Sequence, residues 1–260
     1  MEKRYTSEHV ETWRREGAVV VPEFFEKEEI AEVIADFDII FPDRKVEAEA
    51  LKKKRQGEVG NKLPLQLSGK KMGKTTMEQF RNFENITFDC SHALNLIAVH
   101  PALIVFALSA LNTEDVKLYQ AQAWAKFTGE ADFDQAFHCD FGNHTLTVPS
   151  EDECFNSIAF IIYFTDVTEA HGPTHYVNRS DSKNFDGLKR FLKHREDLSH
   201  QKELRSFERS AAGPAGTLLA YGIDVFHRGT NLTAPGGYRY AVTSCFKKAG
   251  NDAIGYTAWP

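Results

Sequence analysis

Ala136-Phe137-His138-Cys139-Asp140-Phe141 is the stretch on which the reading of this 260-residue chain turns. In an extended segment side chains alternate faces with period two, so His138 and Asp140 point one way and Phe137, Cys139 and Phe141 the other. One segment can therefore offer an imidazole and a carboxylate to a single cation. A third donor must come from a distant part of the chain, and Phe226-His227-Arg228 supplies a histidine behind an apolar run. Two histidines and one carboxylate on one side of a metal, with the other side open, form the facial triad of non-haem Fe(II) sites. Arg239, at the start of a further β-type run, lies where a guanidinium can take a carboxylate in a two-pronged grip.

Taken alone, His-x-Asp is a pattern that chance produces, and an isolated His or Arg is more often a surface residue. Context strengthens it here. A strand precedes His138, the turn-like Gly142-Asn143 follows Asp140, and Phe137 and Phe141 are placed to dry the surroundings. His227 is expected to follow a strand and open the turn Arg228-Gly229-Thr230-Asn231, with Arg239 on the next strand.

Working outward, the period of the hydrophobic residues changes along the chain. Ser7 to Gly17 reads as a short capped helix, Ala18–Val21 as a strand, and Glu26–Phe37 as an amphipathic helix with Ile30, Val33, Ile34 and Phe37 on one side. Residues 43–79 lose periodicity and are expected to be long loops with a polar helix near Val46–Arg55. Their lysines suit a solvated face as well as a cover for substrate. Asp89–Val99 and Pro101–Leu111 read as two buried helices, the second with proline in its first turn. After them come β-type runs at Val116–Phe127, Asn156–Thr165, Thr217–Ala220 and Tyr238–Lys247, interrupted by an excursion helix at Asn184–Glu196. Helices followed by many strands predict an α+β fold with a mostly β core. No linker composition marks a domain boundary.

Composition narrows the function classes. There are 31 basic and 37 acidic residues, a net charge of −6, which argues against a nucleic-acid or anionic-membrane surface. The apolar stretch Leu94–Leu111 is interrupted by His100-Pro101, so no membrane span is expected. Cys90, Cys139, Cys154 and Cys245 fall at no zinc or disulfide spacing, and reduced thiols in a cytoplasmic protein are the simplest reading.

From Tyr5 to Lys247 the chain resembles the phytanoyl-CoA dioxygenase (PhyH-like) family of Fe(II)/2-oxoglutarate-dependent oxygenases. The matching features are a helix running into Gly17-Ala-Val-Val-Val-Pro22, Lys126 in the strand before the metal motif, and His138-Cys-Asp140. They continue with Tyr163-Phe-Thr-Asp-Val167 ahead of Gly172-Pro173-Thr174, then His227-Arg-Gly229 and Arg239. The resemblance implies a double-stranded β-helix, a jelly-roll or cupin-like barrel over about 115–248, buttressed by N-terminal helices over about 5–111 in a single domain. It implies Fe(II) on His138, Asp140 and His227, with 2-oxoglutarate chelating the metal and resting its far carboxylate on Arg239. O2 completes the set, with succinate and CO2 released as a small-molecule or lipid-like substrate is hydroxylated. Two departures stand out. Asn178-Arg179-Ser180-Asp181 replaces a common Pro-Gly-Ser-His turn, and Ala241 stands where many relatives carry Ser or Thr.

Around the cosubstrate, Lys126 is expected either to reach 2-oxoglutarate, as in the family, or to be a snorkelling surface lysine. Gln120, Gln122 and Trp124 share its face by the period-two rule and either line the same pocket or pack ordinarily. Asn143 and His144 follow the metal motif, and Thr243 or Ser244 is placed to support the carboxylate in place of residue 241. Tyr163 and Thr165 are expected to point into the barrel, Cys139 to pack away from the metal, and His171 and His175 to lie at the surface. Two other readings stay open: a barrel that holds metal and 2-oxoglutarate as a sensor without catalysis, and a cupin-like enzyme using the ion without 2-oxoglutarate.

Overall fold

In the computed structural model the described residues are 4–40, 91–128, 134–140, 157–185 and 198–249. The expected loops at 43–79, Asn143, His144 and most of the expected helix at 184–196 lie outside them.

Helix α1 spans Ser7–Glu16. Its N-cap is Thr6, one residue earlier than the sequence suggested, in a reciprocal capping pair with His9. Gly17 ends it in the left-handed region at φ 80°, and a Cβ there would meet Val225 Cγ2 at 2.6 Å. Strand β1 (Ala18–Val21) and helix α2 (Lys27–Ile40) follow. Helices α3 (His92–Ala98) and α4 (Pro101–Leu111) are separate elements, with His100 capping the second through its side chain. His92–Leu111 is long and apolar enough to cross a membrane by composition alone. It is, however, a broken pair with Leu94, Ile97, Leu103 and Phe106 buried in the core.

Five antiparallel strands make the main sheet, in the order β1, β6 (Leu218–Tyr221), β3 (Ser157–Tyr163), β8 (Tyr238–Lys248) and β2 (Val116–Phe127). Its two faces are sorted by the strand period. One buries Val19, Val21, Ala123, Ala125, Phe127, Phe160, Ile162, Ala220, Tyr240 and Val242 against the helices. The other carries Ala18, Ala159, Tyr163, Leu219, Tyr221, Ala241 and Cys245 into a second cluster. That inner face looks across to a smaller sheet, β5 (Arg209–Ser210), β4 (Thr174–Tyr176) and β7 (His227–Gly229). The Thr174 amide donates to Tyr163 Oη at 2.9 Å, tying the two sheets together. Outside the smaller sheet, helix α6 (Leu198–Arg205) places Leu204 in a third cluster with Phe137, Cys139 and Phe226.

Four β-type runs read from the sequence are strands here within two residues at each end. Two expectations are corrected. Asn184 and Phe185 are in a turn and a bend, so the excursion helix does not start there, and a helix at Leu198–Arg205 went unforeseen. His227 opens no turn. It begins strand β7 and pairs with Tyr176, because its backbone is held by β4 on one side and by His138 on the other. The replaced corner, Asn178-Arg179-Ser180-Asp181, carries the one-turn helix α5 (Arg179–Ser182). Arg179 grips Asp224 with two bonds of 2.7 Å and donates to the Arg14 carbonyl, tying the end of α1 to the approach to β7.

Candidate metal centre

Two backbone segments build the centre. His138 and His227 exchange N–H···O bonds of 3.0 and 2.9 Å, and the Asp140 amide donates to the Ile223 carbonyl at 3.0 Å. The segment 134–140 is thereby laid along 223–229, so ligands 87 to 89 positions apart are locked in register by main-chain bonds. Alternation then turns His138 and Asp140 inward, while Phe137 and Cys139 enter the outer cluster, Cys139 donating to the Asp224 carbonyl. Phe137 therefore packs on the far side and does not dry the ligand face as the sequence suggested.

One ligand atom from each of His138, Asp140 and His227 lies within 4.8 Å of the others. Each imidazole is oriented by its other nitrogen. His138 Nδ1 is 2.9 Å from the Ala136 carbonyl and His227 Nδ1 is 3.0 Å from that of Val225. A carbonyl only accepts, so each Nδ1 carries a proton, and Nε2 is the nitrogen left to offer a lone pair to a cation. Asp140 Oδ1 stands 3.5 Å from His227 Nε2, while Oδ2 accepts from Tyr221 Oη at 2.8 Å. Burial first, and the neighbouring Asp140 second, push the Tyr221 hydroxyl well above its ordinary value, so it remains a donor. Two imidazoles and a carboxylate fit a divalent first-row ion.

A second charged feature occupies the other end of the inner face. Lys126 and Arg239 are direct partners across β2 and β8, and both are buried. Lys126 Nζ donates to the Thr230 carbonyl at 2.7 Å, which overturns the surface reading of this lysine. Arg239 lies over the Tyr163 ring at 5.4 Å and donates to the Gly172 carbonyl, and its Nε has no hydrogen-bond partner among the described residues. Burial lowers both cations. For Lys126 the fall is large, with Arg239 adding to it, Asp134 opposing it and Arg228 adding again. A buried guanidinium with an unsatisfied N–H beside a second cation is the environment that an anion stabilises.

Between the two features the inner face is lined in rungs. Trp124, Ala241 and Tyr163 form the rung next to the cations, and Gln122, Thr243 and Ile161 the next, followed by Gln120, Cys245 and Ala159. Trp124, Gln122, Thr243 and Ile161 are half-buried, so this part of the face is open between the three candidate ligands and Arg239. Thr243 is thus on the site's side of β8, whereas Ser244 is buried on the other side. His175 is not a free surface group: it sits between Glu169 and Glu208, at 2.9 and 3.1 Å. Glu208 also holds Arg228, which reaches Asp134 at 3.1 Å. This network ties β7 to the segment that leads into His138. Tyr221 and Arg228 carry no signal in the sequence that singles them out, because their roles depend on cross-strand neighbours.

Phytanoyl-CoA dioxygenase (PhyH) is the family whose model matches this chain, over residues 13–239. Among curated proteins there is no significant sequence match. Similar solved structures include the epimerase SnoN in complex with Fe3+, alpha ketoglutarate and nogalamycin RO, at 13% identity and TM-score 0.62 over 94% of this chain and 83% of that one. The carbocyclase SnoK from nogalamycin biosynthesis is similar at 17% identity and TM-score 0.60, over 94% and 85%. HygX from Streptomyces hygroscopicus, with nickel and 2-oxoglutarate bound, aligns at 14% identity and TM-score 0.60, over 94% and 88%. At these identities the likeness is one of fold. The family match covers most of the sequence and has His138, Asp140, His227 and Arg239 inside it, and the protein belongs to the phytanoyl-CoA dioxygenase (PhyH) family.

Proposed function

We propose that the protein is an Fe(II)- and 2-oxoglutarate-dependent dioxygenase that hydroxylates a small-molecule substrate. The carrying observation is the pairing of a three-donor centre at one end of an open inner face with a buried, incompletely bonded Arg239 at the other. His138, Asp140 and His227 would hold the iron, and Arg239 with Lys126 would take the far carboxylate of 2-oxoglutarate, with Thr243, Gln122 and Trp124 lining the face between. The bound metal and cosubstrate supply the oxidation of a C–H bond, with CO2 and succinate as co-products of O2 consumption. The protein orients the groups and fixes which imidazole nitrogen faces the ion. We read the two facing sheets as a double-stranded β-helix, with helices over about 5–111 as its buttress in one domain, and the enzyme as cytoplasmic. Asn143, outside the described residues, stays a candidate contact to the cosubstrate.

Arg239 separates this reading from a metal enzyme that makes no use of 2-oxoglutarate, since such an enzyme has no need for a buried anion anchor beside Lys126. SnoN and SnoK are named for epimerisation and carbocyclisation, so product analysis decides between hydroxylation and an oxidative rearrangement. The test is succinate formation from 2-oxoglutarate with added Fe(II) and O2. The expected result is iron-dependent succinate that is lost in His227→Ala and strongly reduced in Arg239→Ala. Equal succinate with and without iron contradicts it.

A further inference from the structure

We infer that Tyr221 is a positioning residue for the metal centre, acting through Asp140 to hold its Oδ1 toward the ion; this rests on the metal reading of the triad. Tyr221 is the last residue of β6, on the inner face, and its neighbours across the sheet are Ala18 in β1 and Ala159 in β3. Two methyl groups beside it leave the phenol room to lie against the His227 ring, with centroids 4.8 Å apart. Its hydroxyl donates to Asp140 Oδ2 at 2.8 Å, on the opposite oxygen from the one facing His227. Two residues further on, the Ile223 carbonyl takes the Asp140 amide. The one connection from Tyr221 to His227 therefore carries a ligand and also sets both the backbone and the carboxylate of a second ligand.

The consequence concerns how the carboxylate meets the ion. With Oδ2 held by the phenol, Oδ1 is the oxygen turned toward His227 and the ion. Freed of the phenol, Asp140 can swing Oδ1 out of line with the two imidazoles, which weakens the site. Outer partners of metal ligands commonly change affinity by about 10- to 100-fold.

The experiment is Mn(II) titration of the full chain, followed by the signal of the free ion, on wild type, Tyr221→Phe, Asp140→Asn and the double variant. The metal-free melting temperature is measured in parallel. The expected outcome is an Mn(II) Kd raised about 10- to 100-fold in Tyr221→Phe, a metal-free melting temperature close to wild type, and no further loss when Tyr221→Phe is added to Asp140→Asn. A Kd equal to wild type overturns the inference, even if the metal-free protein melts lower, since that pattern is one of packing alone. Losses that add in the double variant overturn it as well. Wild-type protein that binds no Mn(II) removes the metal reading itself, so the two failures are distinct.

Discussion

Lys126 and Arg239 face one another across β2 and β8 on the inner side of the main sheet, both buried, and no carboxylate occupies the adjacent rung of Trp124, Ala241 and Tyr163. Two buried cations placed together are destabilising unless an anion joins them. Arg239→Ala is therefore expected to weaken 2-oxoglutarate binding to the Mn(II)-loaded protein by about 2–5 kcal/mol, the usual cost of truncating a buried charge partner. Arg239→Lys should not restore it, because an ammonium cannot grip both carboxylate oxygens. Calorimetry on both variants checks this.

Lys126 also sets a pH dependence. Its ammonium is held well below the ordinary lysine range by burial, so the unfolded chain binds the proton more tightly than the folded one. Stability contributed by this group rises with pH between the folded value and the ordinary one near 10.5, at up to about 1.4 kcal/mol per pH unit. Lys126→Met should accordingly be stabilising near neutrality in the metal-free protein, with the gain shrinking as pH rises. Denaturant midpoints measured from neutral to alkaline pH report it.

Much of this was legible in the sequence, and the reasons are physical. Val116–Phe127 and Tyr238–Lys248 are long, strongly patterned strands, and the three candidate ligands and Arg239 stood out because their chemistry is rare in that order. The strands Thr174–Tyr176, Arg209–Ser210 and His227–Gly229 are too short to show a period, so the second sheet was not visible. Without it His227 looked like the start of a turn. Lys126 was ambiguous because burial of a lysine depends on what crosses over it, here the Thr230 carbonyl. Tyr221 was unreadable for a similar reason: its hydroxyl meets a residue 81 positions away.

Arg228 tests the framework behind the ligands. Its side chain is buried, bonded to Glu208 at 2.8 and 2.9 Å and to Asp134 at 3.1 Å, and stacked over Phe137. Arg228→Met leaves Glu208 with His175 and Asp134 with the more distant Arg205, with an expected cost of about 1–3 kcal/mol once the partial exposure of Asp134 is allowed for. A lowered denaturant midpoint with an unchanged slope is the expected readout.

Gly17 tests the join between α1 and the approach to β7. At φ 80°, with Val225 Cγ2 2.6 Å and Arg179 Cγ 2.9 Å from where a Cβ would stand, alanine meets both backbone strain and a clash. Gly17→Ala is expected to cost about 1–3 kcal/mol. Thermal unfolding measures it, and an unchanged midpoint would show that this contact yields freely.

The most direct test of the metal and cosubstrate assignment is anaerobic optical titration of the protein with Fe(II) and 2-oxoglutarate. Chelation of the ion by the 2-oxo acid produces a visible charge-transfer band without any need to know the substrate. The account predicts a saturable band in wild type that is absent in His227→Ala and appears only at much higher 2-oxoglutarate in Arg239→Ala. Folded wild-type protein that develops no band would contradict it.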